Sequence, residues 1–193
     1  EVLRAMAEAA DALGVGLHLH LAESEEQLRV SLDKHGASPV RHLHDLGLLE
    51  RPLLAAHCLV LAPGDLELLA LPNVSVAHTP KTYMKLGMAH KTVGPLLDAG
   101  VRVALGSDGP ASNSDMNLLE VMRLTGMREK QAREDAAALA APAILGLASR
   151  AGAEALGFTD SGHLRPGAAA DIILMDTRGP HWAPPHNLLA GAI

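Results

Sequence analysis

Gly16-Leu17-His18-Leu19-His20-Leu21-Ala22-Glu23 (GLHLHLAE) alternates leucine and histidine before ending on a carboxylate. Alternation with period two sends successive side chains to opposite faces of a strand, so His18 and His20 leave the same face. Glu23 falls three residues after His20, where the strand should give way to a loop. An imidazole with a carboxylate one loop-step away can hold a metal ion and move a proton beside it. The motif gains weight only if further strands end in further ligands.

Working outward, the same alternation of elements repeats. VLRAMAEAADALG predicts a helix stopped by Gly14, ahead of a strand over Val15–Leu21. SEEQLRVSLDKHG predicts a helix with acidic residues in its first turn and Gly36 at its end. Ser38-Pro39 opens another helix reaching about Leu46. Strands are expected at Leu53–Leu61, where His57 is the polar residue, and at Asn73–Pro80, which carries His78 near its end. VRVALGSDG gives a fourth strand, ending in Ser107-Asp108-Gly109. Helices are expected at Pro63–Ala70, Thr92–Ala99 and Asp115–Arg128. An Ala-rich pair follows over Ala136–Leu156, broken near Gly146–Ala148. Last comes an apolar strand at Asp171–Met175.

Apolar strands alternating with helices indicate an α/β fold with a parallel sheet covered by helices. A doubly wound sheet would carry a Gly-rich phosphate loop after its first strand, and this sequence has none there. A (β/α)8 barrel instead sets its chemistry at the C-terminal ends of successive strands. Four successive strands here end in His20 with Glu23, His57, His78 and Asp108. That distribution fits a barrel, and four strands are half of one. The chain enters a helical pattern directly at Glu1 and stops at Ile193 inside an apolar stretch, as expected of part of a longer protein.

Composition narrows the function. With 48% hydrophobic and 20% charged residues the chain is globular in character. A net charge of -6 and 2% aromatics argue against a nucleic-acid or anionic-membrane surface. A single cysteine, Cys58, excludes an intrachain disulfide and suits a reducing, cytoplasmic compartment. Neither a bilayer-length apolar run nor a signal-peptide pattern is present. Eleven histidines, several of them at strand ends, favour metal chemistry.

HLHLAESEEQ, AAHCLVL, HTPKTYMKLGM and LGSDGPASNSDMNLLEVMR, in that order, resemble the metal-dependent amidohydrolase superfamily. The similar branch is that of the aminohydrolases and chlorohydrolases, which includes the S-adenosylhomocysteine and methylthioadenosine deaminases. The tail, GHLRPGAAADIILMD, resembles that branch's return into a small β-sandwich. The resemblance implies the C-terminal half of a (β/α)8 TIM-type barrel, strands five to eight, over residues 1–158, and an incomplete β-sandwich segment over residues 159–193. By it, His20 matches the fifth-strand metal ligand and Glu23 the carboxylate that shuttles a proton to the ring nitrogen. His57 matches the sixth-strand histidine, which hydrogen-bonds the attacking water or, in dinuclear relatives, binds metal. Asp108 matches the eighth-strand aspartate that ligates metal and takes the water's proton. One divalent ion is implied, zinc ahead of iron, with a small heteroaromatic substrate, water and a possible homo-oligomer. The implied reaction is deamination of a purine-like ring, with ring dechlorination or cyclic amide hydrolysis as alternatives on the same scaffold. Two departures stand out: the family's first-strand His-x-His has no counterpart, and Lys81-Thr82-Tyr83 stands where many relatives carry Ser-Asn. Without that His-x-His, a non-catalytic fragment is the competing reading.

Each residue also has a plainer role open to it. Asp108 sits in an Asp-Gly pair common in turns, and His57 could be a satisfied core histidine. His78 could line a pocket or serve structure. Ser112 and Asn113 could contact substrate or cap the next helix.

Overall fold

The computed structural model describes residues 1–193 apart from 89 and 185. In chain order the elements are α1 (Val2–Leu13), β1 (Leu17–Leu21), α2 (Glu25–His35), α3 (Pro39–Asp45), β2 (Leu53–His57), α4 (Asp65–Leu69) and β3 (Val74–His78). Then follow α5 (Pro80–Lys85), α6 (Gly94–Asp98), β4 (Arg102–Leu105), α7 (Pro110–Asn113), α8 (Leu118–Arg133), α9 (Ala141–Ala148), α10 (Arg150–Ala155) and α11 (Leu188–Ala192). The strands form one sheet in the order β1-β2-β3-β4, with every pairing parallel. Each crossover passes through helix, as parallel neighbours require.

Local signals explain the boundaries. Gly14 ends α1 and Gly36 ends α2, both in the left-handed conformation that a glycine adopts without steric cost. Ser24 and Ser38 cap α2 and α3 through their side chains. The expected helix at Asp115–Arg128 begins later, because the Asn117 side chain accepts the Leu119 and Glu120 N–H groups and so fixes the start at Leu118. The break in the Ala-rich pair falls at Ser149, one residue beyond the expected stretch.

Register divides the sheet into two faces. Leu21, Leu53, Ala55, Val74, Val76 and Val103 join one core cluster with Ala7, Val40, Leu43, Leu49 and Leu69 from the covering segments. Fully burying one such aliphatic side chain contributes about 1.5–3 kcal/mol. The opposite face carries His18, Leu54, Ser75 and Arg102 in one row, and His20, Ala56, Ala77 and Ala104 in the next. Three alanines in that second row leave His20 as its bulky, polar member.

Two expectations need correction. The strand expected over Leu53–Leu61 stops at His57, because His57 (φ 78°) and Cys58 (φ 52°) turn into left-handed backbone that a strand cannot contain. Asp171–Met175 forms no strand; the stretch is irregular, with Ile173 77% and Leu174 95% exposed. Its apolar pattern suits a strand, but no strand among the described residues pairs with it, and a lone extended segment has no ladder to stabilise it. No helix among the described residues is long and apolar enough to cross a membrane.

Candidate active site

The polar residues gather at the C-terminal ends of the strands: His20 and His78 stand on regular strand, and left-handed backbone places Glu23, His57 and Asp108. After β1, Ala22 adopts φ 51°, redirecting the chain into Glu23. The Glu23 N–H donates to Gln27 Oε1 at 2.8 Å while the Gln27 N–H donates to Ser24 Oγ, so the start of α2 fixes the Glu23 backbone. The Ala22 carbonyl accepts the N–H groups of Leu59 and Val60, which ties the turn after β2 to the end of β1.

Strict alternation along β2 would send His57 to the helix-covered face with Leu53 and Ala55. Its left-handed backbone redirects the ring, and His57 stacks on His20 with centroids 5.2 Å apart and planes 15° apart. Such a conformation is costly outside glycine and concentrates at functional sites. His57 Nε2 lies 3.8 Å from Glu23 Oε1, while Nδ1 lies 3.3 Å from Thr79 Oγ1. The residue is 1% exposed. Burial lowers its pKa, against the opposing pull of Glu23 and Asp108, so the imidazole is neutral at neutral pH.

Beyond β4, Asp108 is again left-handed (φ 59°). Its Oδ1 accepts the Gly109 N–H and its Oδ2 the Ser112 hydroxyl, both at 2.9 Å. Burial works against the carboxylate, but these donors outweigh it and hold the pKa below the ordinary value. The result is an ionised, oriented carboxylate. One ligand atom each from His20, His57 and Asp108 lies within 4.8 Å of the others. This is the one such group of three or more found among the described residues.

The remaining expected residues take different places. His78 is 2% exposed and meets Tyr83 edge-on at 5.2 Å. It lines a cavity of about 190 Å³ shared with His57 and Lys91, and burial drives its pKa down to about 3, helped by the charges of Arg128 and His57. Ser112 steadies Asp108. Asn113 is fully buried, and its side-chain amide donates to the Ser107 carbonyl, bracing the loop that presents Asp108. His18 shares the His20 face but stands outside the convergent group. Cys58 joins the core cluster of Leu53 and Ala55, although alternation along β2 would send it to the opposite face; the left-handed turn at His57 and Cys58 breaks the alternation, and burial raises the thiol pKa.

Two residues beside the site have no role assigned from the sequence, although Tyr83 stands in the Lys81-Thr82-Tyr83 departure. Thr79 touches His57, and Tyr83, 1% exposed, accepts the Thr79 N–H on its hydroxyl at 2.9 Å. The Tyr83 ring also meets His57 edge-on at 5.8 Å. The available signal was the spacing of four from Thr79 to Tyr83 behind Pro80, which starts a helix and sets the two on one side of it.

Residues 1–191 match the amidohydrolase family, and the chain belongs to it. It is 42% identical over 190 residues to the 5-methylthioadenosine/S-adenosylhomocysteine deaminase of Pelotomaculum thermopropionicum, covering 98% of this chain and 44% of that protein. It is 37% identical over 187 residues to the 5′-deoxyadenosine deaminase of Methanothermobacter thermautotrophicus, covering 97% of this chain and 44% of the relative. Among solved structures, a zinc-bound adenosine deaminase from Xanthomonas campestris superposes with a TM-score of 0.91 at 33% identity, over 98% of this chain and 44% of that one. An atrazine chlorohydrolase from Arthrobacter aurescens, in complex with zinc, gives 0.89 at 30% identity, over 98% and 42%. The chain thus spans less than half the length of the relatives it matches.

Proposed function

We propose that this chain is the C-terminal part of a metal-dependent aminohydrolase that removes an exocyclic amine from a purine-like ring. On this reading its strands are the fifth to eighth of an eight-stranded barrel, residues 1–158 belong to that barrel, and residues 159–193 lead into a small β-sandwich. The convergence of His20, His57 and Asp108 within 4.8 Å is the observation that carries the proposal. Its support is the kinship with deaminases over nearly the whole chain.

Two imidazoles and a carboxylate are a donor set that suits zinc, with iron the alternative. His20 and Asp108 would hold the ion. When bound, a divalent ion lowers the pKa of water toward about 7 and so makes hydroxide available at neutral pH. The chain's own residues then divide the proton work. His57, neutral and facing the Glu23 side through Nε2, orients the attacking water. Asp108, held ionised, takes the water's proton and passes it toward the departing ammonia. Glu23 donates a proton to the ring nitrogen as attack at the amine-bearing carbon builds negative charge there. Left-handed backbone at His57 and Asp108 presents these groups together, in keeping with preorganised catalysis.

Ring dechlorination is the second reading, favoured by the likeness to atrazine chlorohydrolase; it uses the same attack with chloride leaving. The test takes the full-length parent, loaded with zinc, and follows ammonia and chloride release. The substrates are 5′-methylthioadenosine, S-adenosylhomocysteine, adenosine and atrazine. Ammonia from a nucleoside is the expected result. Chloride alone would favour the second reading, and neither product would defeat both.

A further inference from the structure

One contact lies outside the chemistry above: the approach of Thr79 to the rear of the His57 ring. We propose that Thr79 is a positioning residue whose hydroxyl oxygen accepts the His57 Nδ1–H, fixing the tautomer that leaves the Nε2 lone pair on the Glu23 side.

The geometry assigns the two ring nitrogens to different neighbours. Nδ1 stands 3.3 Å from Thr79 Oγ1, and Nε2 stands 3.8 Å from Glu23 Oε1. A neutral imidazole has one N–H and one lone pair, so if the Thr79 hydroxyl accepts from Nδ1, Nε2 carries the lone pair. With its lone pair at Nδ1, the ring would direct an N–H to the Glu23 side and could not accept from a water there. With its proton at Nδ1, it presents the lone pair where it is needed. Thr79 is 4% exposed, so bulk water does not compete freely for this contact. Its backbone is held in turn, because the Thr79 N–H donates to the Tyr83 hydroxyl and the Tyr83 ring packs edge-on against His57. Lys81 pairs with Asp115 and Glu120, fastening α5 to the segment that opens α8. Thus the helix that braces His57 is anchored to the stretch that follows Asp108. Partners of this outer kind, which orient a functional imidazole through its second nitrogen, commonly change affinity or activity by roughly 10–100-fold when removed.

This inference rests on the proposed role of His57, yet its test does not require turnover. The chain, labelled with ¹⁵N-histidine and treated with chelator, is examined by long-range ¹H–¹⁵N correlation at pH 7.5. His57 is assigned by loss of its signals in His57→Gln. The expected spectrum has a protonated Nδ1 and an unprotonated Nε2 for His57. Thr79→Val should convert this to a mixture of tautomers, Thr79→Ser should restore it, and Tyr83→Phe should fall between. A wild-type His57 protonated at Nε2 overturns the proposal without reference to any variant, as does a folded Thr79→Val chain with an unchanged tautomer. Zinc titration of the same samples separates the two levels. The predicted tautomer in a chain and full-length parent that bind no zinc would sink the metal-hydrolase reading and leave the Thr79 assignment standing.

Discussion

The bodies of the strands and their C-terminal ends both hold buried residues, yet they differ in backbone conformation and in side-chain polarity. In the bodies, Leu53–Ala56 and Val74–Val76 are regular and buried, and they pair in unbroken parallel register. Within three residues of the ends, Ala22, His57 and Asp108 turn left-handed, and Glu23, His57 and Asp108 bring polar side chains. Packing in the bodies supplies the stability that lets the ends hold costly conformations and converge imidazoles and a carboxylate. The fold therefore separates what keeps it together from what it could do.

The largest expected effect attacks the bodies. Leu53→Ala, at a site 2% exposed, should cost about 2–5 kcal/mol in urea unfolding through lost transfer energy and a residual cavity. Removing an end residue instead, as in Asp108→Asn, should leave the urea midpoint nearly unchanged. If the two substitutions shift the midpoint equally, the division between body and end is wrong.

A pH effect is next. The pKa of His78 is about 3 in the folded chain against an ordinary 6.5, so across that interval the unfolded state binds a proton that the native state refuses. Stability should therefore be complete above pH 6.5 and fall on acidification toward pH 3, with this residue contributing a slope of up to about 1.4 kcal/mol per pH unit. His78→Gln should flatten that part of the profile. An unchanged slope in a folded variant would count against the buried neutral imidazole.

The smallest effect is the sharpest comparison, since one substitution should change sign between the regions. Ala55→Gly, in the regular body of β2 and fully buried, should destabilise by about 0.5–1 kcal/mol. Ala22→Gly, equally buried but at φ 51°, relieves left-handed strain and should be neutral or stabilising by up to about 1 kcal/mol. Thermal melts of the pair decide it, and equal losses would show that Ala22 is not strained.

The bodies were legible in the sequence because period and apolarity determine them directly: β1, β2, β3 and β4 all fall within the predicted stretches. The ends were legible as residue types and not as geometry. His57 read as a mid-strand histidine because CLVL continues the apolar run after it, and no composition rule marks a left-handed turn at a histidine. Ser112 was visible as a polar residue near Asp108, but its hydrogen bond depends on the short helix α7, which Gly-Pro-Ala-Ser-Asn does not announce. Tyr83 looked like a loop residue because its partners, His57 and His78, come from other strands. DIILM read as a strand on its own pattern, although a strand is a property of a pair.

Zinc titration of the full-length parent by calorimetry, set beside His20→Ala and Asp108→Asn, tests the central claim most directly. The account predicts one ion per parent chain, with His20 and Asp108 among its ligands and affinity reduced by on the order of 100-fold in either variant, the upper end of what loss of an outer partner costs. Wild-type and variant chains that bind zinc equally, or not at all, would contradict it.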